Sequence, residues 1–158
     1  MQKITPFLWF NNNAGEAIEL YTSIFKNSKT ISVHRYGKTG PMPEGTVMTG
    51  TIELEGQQFM LLNAGPIYSF TPAISLFVNC ETQEEVDYYW ERLTADGGKE
   101  SQCGWLEDKF GLSWQIIPSI LGKLLGDPDR ERADRAMSAM MQMRKLDIAA
   151  LKAAADEK

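Results

Sequence analysis

Thr5-Pro6-Phe7-Leu8-Trp9-Phe10 is a short apolar and aromatic run. It is followed by Asn11-Asn12-Asn13 and by apolar residues at helical spacing from Ala14 to Phe25. The same order returns at Thr71-Pro72-Ala73-Ile74-Ser75-Leu76-Phe77-Val78, where a polar link from Asn79 to Thr82 leads into a helical run from Gln83 to Leu93. Shifted by 68 residues, Glu16, Ile18, Glu19 and Tyr21 fall on Glu84, Val86, Asp87 and Tyr89. Two amphipathic helices resemble each other by chance more easily than two helices that each follow a Thr-Pro strand, so the pattern reads as an internal repeat.

Strand signals follow both helices. In the first half, Thr30 to Tyr36 is β-rich and Gly37 to Gly45 is a Gly/Pro loop. Thr46–Leu54 and Gln57–Asn63 then flank Glu55-Gly56, a two-residue hairpin signal. In the second half, Gly97-Gly98 ends the helix, and Lys99–Leu106 and Leu112–Ile117 read as strands around the turn-like Glu107 to Gly111. Each half is thus strand, helix, then two or three strands, and alternation gives each sheet one face packed on its helix and one face turned elsewhere. Asp127-Pro128 predicts a further helix with Asp127 as N-cap and a stripe of Ala133, Met137, Met140 and Met141. Leu146-Asp147 predicts another, capped by Asp147 and stapled by Leu146 onto Leu151. Such an arm packs either on its own domain or on a sister subunit, and the sequence leaves both open.

Composition narrows the chemistry. The 158 residues carry 16 Lys and Arg against 21 Asp and Glu, a net charge of −5, and the balanced arm leaves that deficit to residues 1–126. This argues against nucleic acid and anionic membranes as partners. No stretch has the roughly 18 unbroken apolar residues of a membrane helix, and Met1 to Pro6 contains no signal-peptide block, so a cytoplasmic location is expected. Cys80 and Cys103 make no CxxC pair and are expected as free thiols, and the single histidine, His34, excludes a multi-histidine metal site.

The individual motifs read modestly. Gly37-Lys38-Thr39 lacks the glycine of a phosphate loop at position 32, which is Ser32, and no GxGxxG follows a strand. His34, between Val33 and Arg35, has no orienting partner in the sequence and reads as an ordinary strand histidine. Cys103 lacks a cationic setting that would activate a thiolate, so a small buried thiol is expected. Glu53 and Glu55 share a strand face, but beside Gly56 they suit an exposed hairpin end better than acid–base work. The aromatic supply carries more. Trp9, Trp105 and Trp114 fall on three predicted strands, joined by Phe7, Phe59, Tyr68 and Phe77, with Asn63 and Gln115 on neighbouring strands, a composition suited to an apolar ligand.

The stretches Ile4 to Phe10, Ala17-Ile18-Glu19-Leu20-Tyr21 and Gly104-Trp105-Leu106-Glu107-Asp108-Lys109-Phe110-Gly111-Leu112-Ser113-Trp114-Gln115-Ile116 resemble one branch of the vicinal oxygen chelate, or glyoxalase/bleomycin-resistance, superfamily. That branch is the PhnB-like one, often labelled 3-demethylubiquinone-9 3-methyltransferase-like. The tail around Asp127-Pro128-Asp129 and Met137 to Leu151 is similar too. The resemblance implies an α+β fold of two βαβββ modules, about 3–66 and 70–118, whose mixed sheet curls around a cavity within a single domain 1–126. A C-terminal helical arm, 127–158, follows. A homodimer is also implied.

Enzymes of the superfamily hold a divalent metal at four inward positions, which fall here near Thr5, Asn63, Ala73 and Gln115. Only Gln115 is a permitted ligand type, so no metal and no other cofactor is expected. Nor does the sequence offer a methyl-donor motif to support the methyltransferase label. The cavity residues expected on this reading are Thr5, Phe7, Trp9, Asn63, Ser75, Phe77, Trp105 and Gln115. Asn63 and Gln115 would orient the ligand, and Trp105 and Asp108 would lie near the rim or support the last strand. A metal-independent protein binding a partly apolar, aromatic metabolite is the favoured reading. A metal-dependent glyoxalase- or dioxygenase-type enzyme, a sequestering resistance protein and an assembly module built on the arm are its alternatives, and the sequence leaves catalysis against binding undecided.

Overall fold

A computed structural model describes residues 1–157, and the chain forms two compact units, one spanning Met1–Phe70 and the other running from Thr71 onward. The first unit is β1 (Phe7–Phe10), α1 (Ala14–Ile24), β2 (Ser28–Arg35), β3 (Val47–Leu54) and β4 (Gln57–Asn63). Its sheet has the order β1-β4-β3-β2, with β1 parallel to β4 and the remaining pairs antiparallel. The second unit repeats this plan with β5 (Ser75–Cys80), α2 (Gln83–Thr94), a 3-10 turn at Ala95–Gly97, β6 (Lys99–Glu100), β7 (Trp105–Glu107) and β8 (Ser113–Pro118). Its order, β5-β8-β7-β6 with β5 parallel to β8, is the same as that of the first sheet. The duplication expected from the repeat is therefore present element by element.

Local chemistry explains most boundaries. At the β3–β4 hairpin Glu55 and Gly56 take φ of 48° and 84°, the pair of positive values that a two-residue turn between twisted strands requires. Thr82 caps α2 by accepting from the Glu85 N–H at 3.2 Å. In the first unit α1 lays Ala14, Ala17, Ile18, Tyr21 and Ile24 against one sheet face, where Leu8, Phe10, Ile52, Leu54, Phe59 and Leu61 are buried. Ile18 Cδ1 fills the space that a side chain at Gly50 would need, so Gly50 belongs to this helix-facing side of β3. In the second unit Val86, Trp90 and Leu93 of α2 are buried, as are Leu106, Trp114 and Ile116 on the strands.

Three expectations need correction. Lys99–Leu106 is two strands: Ser101 to Gly104 turns out of line, with Cys103 at φ 58° and Gly104 at φ 84°. The cause is tertiary, because the Cys103 and Gly104 N–H groups donate to the Met143 and Arg144 carbonyls at 2.8 Å each. Residues 119–125, for which the sequence predicts no element, form α3 (Ser119–Leu125). The next helix, α4 (Arg130–Met140), is capped by Asp129, which accepts from Glu131 N and Arg132 N, while Asp127 accepts from the Asp129 N–H at 2.9 Å and from Arg132 Nε at 3.1 Å. Those bonds, the backbone one first, hold the Asp127 carboxyl below the usual carboxylate range. The buried face of α4 is Ala133 and Ala136 with Met140 partly covered, whereas Met137 and Met141 point to solvent.

The last helix, α5 (Ile148–Asp156), starts as expected: Asp147 accepts from Ala150 N at 2.9 Å, and Leu146 and Leu151 are both fully buried in one cluster. The arm packs on its own chain. Ile117, Leu121, Leu124, Ala136, Leu146, Leu151 and Ala155 form a core continuous with the end of β8. Gln83 fastens the arm to the start of α2 by donating to Leu146 O at 3.0 Å and accepting from Ile148 N at 2.8 Å. Lys145 pairs with Asp87 at 2.8 Å, and this bond, helped by Gln83, lowers the Asp87 carboxyl below its ordinary range.

Candidate functional site

Strand alternation gives each sheet a second face, turned away from α1 in the first unit and from α2 in the second; in the second unit the arm covers it only at the Ile117 end of β8. In the first unit the register aligns Phe7 with Met60 and Trp9 with Leu62, and continues from Met60 to Thr51 and from Leu62 to Thr49. These positions alternate with the buried Leu8, Phe10, Phe59 and Leu61, so they project from the open face. Phe7 is 50% exposed. Trp9 is held in place: its indole N–H donates to Gly65 O at 2.9 Å, and Tyr68 packs edge-on against its ring at 5.0 Å. Thr5 lies just before β1, half-buried, and accepts weakly from Gln2 Nε2 at 3.4 Å.

In the second unit the register places Phe77, Gln115 and Trp105 side by side across β5, β8 and β7. Ser75 lies on the same face, one step along β5, and accepts from Gln115 Nε2 at 2.9 Å. That bond fixes the carboxamide and leaves its carbonyl oxygen and second N–H for another partner. Phe77 is 53% exposed. An amide braced between two exposed or half-exposed aromatic rings can hold a flat molecule by its faces and read one polar group on it.

Asn63 has a different use from the one expected. It is 1% exposed, its Oδ1 accepts from the Ala14 N–H at 2.8 Å, and its Nδ2 donates to Val47 O at 3.0 Å. Its parity is that of Phe59 and Leu61, toward α1, where it anchors the helix start to β3. The other aromatics divide in the same way: Trp114 and Phe59 are core, Trp9 and Trp105 are not. Asp108 is buried under the β7–β8 turn, not at a rim. It is 2% exposed, accepting from Phe110 N at 2.8 Å, Leu112 N at 3.1 Å and Trp114 Nε1 at 3.0 Å. It thereby fixes the strand that presents Gln115. Met60, Leu62, Thr49 and Thr51 are open-face residues the sequence reading passed over, although the parity of Phe59 and Leu61 marks their side of β4.

The groups with chemical potential are few. Glu53 pairs with Lys29 at 3.4 Å, and Glu55 accepts from Asn27 N at 3.1 Å beside the hairpin. Among the described residues no three His, Cys, Asp or Glu side chains come together as a metal site. Of the residues that the resemblance places near metal positions, Ala73 has no donor, both ends of the Asn63 amide are bonded within the protein, Thr5 is neutral and Gln115 is braced on Ser75. Both cysteines are free; burial, with Glu85 and Glu81 nearby, pushes the Cys80 thiol up to about 12. Cys103 is partly exposed, not buried as expected. Iodoacetamide on the native protein at neutral pH is expected to label Cys103 and to spare Cys80 until denaturant is added, as read by peptide mass spectrometry. Equal labelling of both would contradict this burial.

The model of the 3-demethylubiquinone-9 3-methyltransferase family matches residues 2–117. The chain belongs to that family. Among solved structures, this family member is 42% identical to the PhnB protein of Bacillus cereus, over 75% of this chain and 100% of that one, with a TM-score of 0.70. A Pseudomonas aeruginosa protein is 19% identical with a TM-score of 0.63, covering 75% of this chain and 98% of that one. The fosfomycin resistance protein FosX of Listeria monocytogenes shares the fold at 16% identity and a TM-score of 0.57, over 77% of this chain and 94% of that one. That protein has also been solved with Mn(II) and sulfate. No curated protein matches. The 3-demethylubiquinone-9 3-methyltransferase family, like FosX, is of the vicinal oxygen chelate type, with a glyoxalase/bleomycin-resistance-like fold. Among the described residues no helix is long and apolar enough to cross a membrane.

Proposed function

We propose that this family member is a metal-independent binding protein for a small, partly apolar and aromatic molecule, acting as a homodimer in the cytoplasm. The observation that carries the reading is the row of Phe77, Gln115 and Trp105, whose central amide is braced by Ser75. By itself, the first sheet presents the rings of Phe7 and Trp9 on its open face. Exposed aromatic rings lose contact with water on binding, which stabilises a complex by roughly 25 cal/mol per Å² of apolar surface covered. The amide supplies orientation.

The donor chemistry of Thr5, Asn63, Ala73 and Gln115 supports independence from a metal. Methyl transfer, which the family description names, needs a held methyl donor. Here α1 is entered through Asn11-Asn12-Asn13 and α2 through Glu81-Thr82, neither of them a glycine-rich anion cradle. We therefore do not extend that activity to this chain.

Native mass spectrometry of the freshly purified full chain tests the reading, because it weighs ion, organic guest and subunit number together. A dimer carrying an organic adduct and no divalent ion is expected, and Trp105→Ala and Gln115→Ala are expected to lose the adduct. A stoichiometric divalent ion, or an adduct indifferent to both substitutions, would overturn it.

A further inference from the structure

The open face of the first sheet is chemically divided across its width. One row runs Phe7, Met60, Thr51, Ser32 and the next runs Trp9, Leu62, Thr49, His34, each read across β1, β4, β3 and β2 from the register. The β1–β4 half is rings and aliphatic chains. The β3–β2 half is three hydroxyls and the chain's one imidazole. The facing of β2 is fixed by its neighbour: Val33 pairs with Gly50, which lies under Ile18 of α1, so Ser32 and His34, paired with Thr51 and Thr49, point the other way. The side chains of Ser32, His34, Thr49 and Thr51 make no hydrogen bond to another described residue. At one end the Lys29–Glu53 ion pair closes the polar half.

Resting on the binding reading above, we infer that this polar half is a subsite for an oxygen-bearing group, hydroxyl or carboxylate, carried at the end of the ligand remote from its ring. Hydroxyls and an imidazole donate to and accept from such a group at once, while the ring lies on Phe7, Trp9, Met60 and Leu62. Strands about 4.8 Å apart set the scale: β1 to β2 spans roughly 14 Å, so the ligand is an elongated amphipathic molecule, not a compact one. His34, read from sequence as an ordinary strand residue, becomes a specificity-determining residue of this site.

Nuclear magnetic resonance titration of the 15N-labelled full chain with 4-phenylbutanoate, 4-phenyl-1-butanol and butylbenzene tests the subsite. Both oxygenated probes are expected to shift the amides of Ser32, His34, Thr49 and Thr51 as well as those of β1 and β4, and to bind more tightly than butylbenzene. Thr49→Val and His34→Gln change exposed or half-exposed side chains and are each expected to weaken the oxygenated probes about 3–10-fold, the scale of one hydrogen bond, and to leave butylbenzene unchanged. Equal affinity for all three probes, or variants without effect, would overturn the subsite and leave the ring-binding reading standing. If no probe shifts this face, the binding reading itself fails for the first sheet.

Discussion

Replacing Asp108 by alanine is expected to lower the free energy of unfolding by about 3–5 kcal/mol, a large share of what a domain of this size has in reserve. The carboxylate accepts from two backbone N–H groups and one indole N–H while almost wholly buried. Its removal strands three donors, each worth roughly 1–3 kcal/mol when left without an acceptor, part of which water entering the turn recovers. Asp108→Asn separates geometry from chemistry. The amide oxygen can still serve Phe110 N and Leu112 N, but its NH2 would face the Trp114 indole N–H, so about half the loss is expected. Urea denaturation checks both, with the midpoint falling at constant slope. An alanine variant within about 1 kcal/mol of the parent would show that this carboxylate does not hold the turn.

Asn63→Ala is expected to lower stability by about 2–4 kcal/mol, because a buried amide with two backbone partners is removed and a small void is left. The same variant, titrated with 4-phenylbutanoate by nuclear magnetic resonance, is expected to retain the parent affinity, since the side chain lies on the helix-facing side of β4. A loss of affinity at intact folding would return Asn63 to the ligand. Asn63→Asp keeps the acceptor for Ala14 N but sets a carboxylate oxygen against Val47 O in a buried site, and is expected to cost at least as much as alanine.

The duplicated plan was legible because its signals are local: a Thr-Pro strand, a polar link, an amphipathic helix and a Glu55-Gly56 turn whose conformation follows from residue type. Asp147 as a cap was legible for the same reason. The break at Ser101 to Gly104 was not, since it answers to residues 143–144, about forty positions downstream in the chain. Nor was Asp129 readable as the cap in place of Asp127, where both residues and the intervening Pro128 satisfy the same preference. For Asn63 the family position and the strand parity disagree, and parity decides: Phe59 and Leu61, four and two residues earlier, already assign its side of the strand. Ser75, Phe77, Trp105 and Gln115 share one sheet face because β5, β7 and β8 pair without a slip.

The family match stops at residue 117, yet the helices beyond it complete the interior of the second unit. A chain trimmed to the matched stretch would leave Ile117 without Leu146 and Leu151, and would free the Cys103 and Gly104 amides that now meet residues 143–144. Such a trimmed protein would emerge from the ribosome with a raw greasy seam and two dangling donors, a recipe for inclusion bodies. The stretch matched by the family model and the interior of the second unit therefore end at different places in this molecule.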